Sequence, residues 1–106
     1  MIIDKTLALS YLAGSDKIYS KLIFSFLDTY KNYKTDIINF YETKNYIELY
    51  RYIHNIKGIS LNLGSQKLYS DSIFILEEFK KGEYNFSNIE KFINTLELVY
   101  FELSKL

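Results

Sequence analysis

Tyr19, Ile23, Phe26, Tyr30, Tyr33, Ile37 and Phe40 follow one another at alternating steps of four and three residues. That spacing keeps seven apolar or aromatic side chains on one seam of a helix, the pattern of a helix packed lengthwise against others. Leu22 and Leu27 widen the seam. Proline is absent and glycine occurs only at positions 14, 58, 64 and 82, so helices have few places to stop and capping residues must mark them. Ser15 or Asp16 caps this segment, which extends to about Thr43. Asn32 and Thr35-Asp36 compete with the backbone for hydrogen bonds, so residues 16–43 read equally as one kinked helix or as two abutting helices.

The rest of the chain follows the same period. Asp4 to Leu12 reads as a short opening helix with Leu7, Ala8, Tyr11 and Leu12 on its apolar side, stopped near Ala13-Gly14. Lys44-Asn45 forms a turn, and Asn45 caps a helix that Gly64 ends. Ser65 caps the next helix, whose inner stripe is Leu68, Ser72, Ile75 and Phe79 with Leu76 beside it; Gly82 stops it. Ser87 caps a last helix with Glu90 at its third position, a capping-box pattern, and Ile89, Ile93, Leu96, Tyr100 and Leu103 form its buried face, widened by Phe92 and Val99. No stretch alternates as a strand and no repeat recurs. Four amphipathic segments joined by short turns predict an all-α fold, an antiparallel up-and-down four-helix bundle with the short first helix capping one end.

A chain of 106 residues suits a single domain, residues 1–106, and 48% hydrophobic residues including 11 tyrosines and 8 phenylalanines supply a core for it. Thirteen basic and thirteen acidic side chains cancel, which gives no electrostatic footprint for nucleic acid or an anionic membrane. The tyrosines therefore read as core filler. Without cysteine there is no disulfide framework, thiolate metal site or cysteine nucleophile, and one histidine without matched ligands does not make a metal site. Met1-Ile2-Ile3-Asp4-Lys5 lacks the basic flank and long apolar run of a signal peptide, and no apolar run approaches the ~18 residues of a membrane span. A cytoplasmic location is the expectation, and a soluble domain excised from a receptor would share these features.

The only histidine lies in Tyr50-Arg51-Tyr52-Ile53-His54-Asn55-Ile56-Lys57-Gly58-Ile59-Ser60-Leu61-Asn62-Leu63-Gly64. As a helix this stretch puts Leu49, Ile53, Ile56, Ser60 and Leu63 on a narrow buried stripe and His54 well over ~90° away, facing out. Tyr50 lies one turn before His54 and Gly58 one turn after. A glycine inside a helix costs about 0.8–1 kcal/mol relative to alanine, so Gly58 on the histidine's face implies that something large approaches the imidazole. Lys57, three residues on, places an ammonium beside whatever the ring carries, which suits a phosphoryl group. Ser60 and Ser72 at core positions let neighbouring helices approach closely, and their hydroxyls can bond back to the preceding turn.

The set His54, Ile56, Lys57-Gly58, Ser60 and Leu63-Gly64 resembles the phosphorylation motif of the histidine-containing phosphotransfer (HPt) family of two-component phosphorelays. The resemblance extends from Phe26 through Leu76-Glu77 and Lys81-Gly82-Glu83, roughly residues 16 to 103. It implies the same helical bundle, with His54 accepting a phosphoryl group from a receiver-domain aspartate and relaying it to another response-regulator receiver. Lys57 would stabilise the phosphoryl charge and Gly58 would give access. Ile47, Tyr50, Leu61 and Gln66 would form the rim that a receiver covers, with Lys80 or Lys81 as a second positive charge from the side. Receiver domains and a hybrid histidine kinase are the implied partners of a monomer. The protein itself would need no cofactor, since the Mg²⁺ belongs to the receiver, and it would be a phosphocarrier without kinase activity of its own.

The bland readings are a surface histidine, a glycine for close helix packing and a solubilising lysine. The joint placement of Lys57 and Gly58 around His54 sets them aside. Glu77, Glu78 and Glu83 read as solvated helix-end charges, and Lys80-Lys81 as complements to a helix C-terminal dipole. Two functional alternatives remain: a non-catalytic bundle that binds a receiver or kinase as scaffold or inhibitor, and the phosphoacceptor domain of a chemotaxis-type kinase.

Overall fold

A buried stripe in the middle of the chain organises the fold. In the computed structural model, which describes residues 2–106, that stripe lies on helix α4 (Tyr46–Leu63), where Leu49, Ile53, Ile56, Ser60 and Leu63 are all fully buried. Met1, the first residue of the stretch read above for a leader, lies outside the described residues. Five further helices complete the chain: α1 (Lys5–Tyr11), α2 (Asp16–Thr29), α3 (Tyr33–Glu42), α5 (Gln66–Lys80) and α6 (Phe86–Ser104). Among the described residues there is no strand. Helix α4 packs against α1, α2, α3 and α5, and α6 packs against α2, α3 and α5. All six helices contribute to one apolar core.

The caps explain where each helix begins. Asp4, Ser15, Asn45 and Ser65 each turn a side-chain oxygen onto the backbone N–H three residues ahead, occupying a donor that has no partner inside the helix. The last helix departs from expectation. Asn85, not Ser87, is its cap: the Asn85 backbone is extended and its carboxamide oxygen accepts from the Asn88 N–H at 3.1 Å. Asn88 is then free to donate its own amide to both oxygens of Glu78, at 2.8 and 3.0 Å. Glu78 is thus half-buried and ties α5 to α6, where a solvated charge was expected. Tyr11 is a second departure, because α1 is too short to bury both sides and leaves the ring about half exposed.

The seam from Tyr19 to Phe40 is carried by two helices. The break falls at Tyr30–Asn32, and Asn32 starts α3 without a side-chain cap. Aromatic packing keeps the seam in line across it: Tyr30 sits 5.1 Å from Phe26 and meets Tyr52 edge-on at 5.3 Å, and Tyr33 packs 5.4 Å from Tyr100. Such pairs add about 0.5–1.5 kcal/mol each beyond the burial of their area. Polar ends of the rings find partners, as burial requires. The Tyr100 hydroxyl donates to the Leu27 carbonyl at 2.9 Å and the Tyr52 hydroxyl to the Asp36 carboxylate at 2.9 Å. Ser60 and Ser72 donate back to the carbonyls of Ile56 and Leu68, both at 2.7 Å, so two polar residues sit in the core with nothing unsatisfied.

The end of α4 is a crowded junction. Gly64 adopts φ +93°, in the left-handed region, and its carbonyl accepts from the Asp4 N–H at 2.7 Å. A Cβ at this position would run into the Asp4 carbonyl. Next to it, the buried Tyr19 hydroxyl donates to the Leu63 carbonyl at 2.9 Å. These two bonds fasten the N-terminal segment and α2 onto the last turn of α4.

Candidate functional site

Burial of the stripe on one side of α4 decides what the other side presents. With Ile53 and Ile56 held at zero exposure, the helix cannot rotate, and His54 is exposed on the outer face. The Tyr50 ring lies nearly parallel to the imidazole, with an interplanar angle of 17° and centroids 6.1 Å apart, an offset stack. One turn beyond His54, Gly58 is exposed, and a Cβ built on it would meet nothing within 4 Å. The imidazole therefore has a covered side and an open side.

Lys57 is half-buried, and among the described residues its ammonium forms no ion pair. Its stem lies along the helix surface while the charge stays available to an arriving anion. Lys80 approaches from the end of α5. Its ammonium pairs with Glu77 at 3.2 Å, and the hydrogen bond and charge of Glu77 raise the Lys80 pKa, with the Tyr50 phenol adding to the rise. Lys80 is the last residue of α5, and Lys81 forms its C-cap.

The remaining rim residues divide. Ile47 is 75% exposed at the start of α4, and Leu61 is half-buried one turn beyond Lys57. With Tyr50, His54 and Gly58 they follow one another at steps of three and four along one face. Gln66 is exposed at the first position of α5, beyond the Gly64 turn, which lies about 15 Å of helix from His54 at 1.5 Å per residue. The structure thus gathers Ile47, Tyr50, His54, Lys57, Gly58 and Leu61 on α4 and sets Gln66 at the end of that surface. Glu77, read above only as a solvated charge, holds Lys80, and its three-residue spacing to that lysine is the signal in the sequence.

Chemically, the arrangement offers an accessible ring nitrogen, a nearby unpaired cation and room for a bulky group. Among the described residues no three His, Cys, Asp or Glu side chains cluster as metal ligands, and no helix is long and apolar enough to cross a membrane. Comparison with protein-family models, curated proteins and solved structures finds no match to this chain.

Proposed function

We propose that the chain is a histidine phosphotransfer domain that takes a phosphoryl group onto His54 from a receiver-domain aspartyl phosphate and passes it to another receiver. The observation that carries this reading is the outer face of α4: an exposed imidazole, the unpaired Lys57 beside it and open space over Gly58. In the forward step a neutral ring nitrogen attacks phosphorus, an N–P bond forms, the acyl-phosphate P–O bond breaks, and the aspartate leaves as a carboxylate. Such a transfer needs in-line placement and charge neutralisation more than an acid or base on this chain. Lys57 meets the equatorial oxygens. Gly58 leaves the path clear, and Ile47, Tyr50 and Leu61 give the receiver an apolar and aromatic rim, with Gln66 at its far edge. The Mg²⁺ of the reaction is a ligand of the receiver.

This reading takes the α2–α3 pair, α4, α5 and α6 as the four members of an antiparallel up-and-down bundle in one domain, with α1 capping an end. Its support is the packing of α4 on α2, α3 and α5, and of α6 on α2, α3 and α5. A monomer in the cytoplasm suffices for the chemistry.

The test is transfer of ³²P from phosphorylated receiver domains, comparing wild type with His54→Gln. Acid-labile, base-stable label confined to the wild type is the expected result. The variant should keep its helicity and lie within about 0.5 kcal/mol of wild type, as exposed substitutions do. Receiver binding without label in the wild type would overturn the carrier role in favour of a scaffold.

A further inference from the structure

We infer that Tyr50 is a positioning residue for the phosphoacceptor, a ring against which the His54 imidazole is held while its other side stays open to the donor. The inference rests on the phosphotransfer reading of His54 and deepens it.

Side chains on a helix lean toward its N-terminus, so a residue covers the turn that precedes it. The imidazole of His54 therefore leans toward Tyr50, and Gly58 lies behind it. The geometry agrees: the rings are offset-stacked, 6.1 Å apart at 17°. Tyr50 is itself half-buried and packed against the core, so the platform does not swing with the histidine. On a bare helix face the second torsion of histidine is broad and two-fold, and the ring samples many directions. A fixed aromatic plane on one side narrows that freedom. On the other side, nothing stands within 4 Å of where a Cβ of Gly58 would be, so that side is open to a donor. Placement of reacting groups can change a transfer rate by orders of magnitude, and that is the quantity Tyr50 should control.

The experiment compares wild type, Tyr50→Leu and Tyr50→Phe with two phosphoryl donors, phosphoramidate and a phosphorylated receiver domain. It adds the NMR shifts of the His54 ring protons. Tyr50→Leu should slow labelling at least about tenfold with both donors through the rate at saturation. It should also change the shifts of the ring protons, because the imidazole loses the orientation that the aromatic plane sets. Tyr50→Phe, which keeps the plane, should restore most of the rate and the wild-type shifts. A Tyr50→Leu protein labelled normally by phosphoramidate, and impaired only in the KM for the receiver, would make Tyr50 a docking contact. That result overturns the inference and leaves the carrier function standing. Unmoved ring-proton shifts in Tyr50→Leu would also overturn it. A wild type labelled by neither donor overturns both readings.

Discussion

Two glycines of the same helical stretch do opposite things. Gly64 is buried, holds a left-handed φ of +93° and has the Asp4 carbonyl where a side chain would begin. Gly58 is exposed, lies within the helix and has no neighbour within 4 Å of a built Cβ. At Gly64 the missing side chain is required by this chain's own packing. At Gly58 nothing in the fold requires it, and the helix is weaker for it. A residue that costs stability without serving the packing around it points to a role outside the fold, which is why Gly58, and not Gly64, supports the proposed site.

The sharpest way to break that contrast is Gly64→Ala. The strained backbone and the collision with Asp4 together should cost about 3 kcal/mol, read as a lower midpoint in urea. A cost below about 1 kcal/mol would mean that the junction yields. Next comes Tyr52, on the flank of α4 between the buried stripe and the open face. Tyr52→Phe removes its hydrogen bond to Asp36 and should cost about 1.5 kcal/mol in the same assay.

A pH titration sharpens that result. Burial raises the Tyr52 pKa far above its ordinary value, helped by the bond to Asp36, and burial likewise raises Tyr19, Tyr30 and Tyr33. Unfolded tyrosines lose their protons near pH ~10 while the folded ones keep theirs. The folded state then binds more protons, so stability is intact below that pH and falls as pH rises above it. Circular dichroism against pH should show alkaline unfolding, shallower in Tyr52→Phe. A flat profile to pH ~11 would contradict the assignment.

On the open side, Gly58→Gln should keep the fold and slow phosphoryl transfer from a receiver about tenfold by filling the approach. Unchanged transfer would remove the clearance argument. The smallest effect belongs to Gly58→Ala, which meets no atom and should stabilise the protein by about 0.8–1 kcal/mol. Destabilisation there would show that the two glycines are alike after all.

The helices were legible because burial on one face leaves a period in the sequence. The stripe through Leu49, Ile53, Ile56, Ser60 and Leu63 was readable residue by residue, as were the caps at Asn45 and Ser65, while Ser15 was one of two candidates with Asp16. The outward direction of His54 followed from the same wheel. Less legible was anything decided by two candidates with similar local chemistry. Ser87 with Glu90 and Asn85 both offer a helix start, and the choice went to Asn85 because Asn88 must also reach Glu78 on another helix. The break between α2 and α3 has no proline or glycine to announce it. The Tyr50–His54 stack depends on ring orientation, which spacing brings within reach but does not set.

The bonds from Asp4 and Tyr19 to the last turn of α4 span 60 and 44 positions of sequence, whereas α4 meets α5 through a tight turn. Contacts between distant parts of a chain close late, since their loop entropy must be met first. By that criterion the α4–α5 hairpin should form early, and the N-terminal segment should be a late-closing latch, as should the Tyr100–Leu27 bond, which spans 73 positions. Undoing that latch would expose the Asp4 amide to hydrogen exchange while the helix carrying His54 stays wound, so the amide would report a partial opening that leaves the imidazole in place.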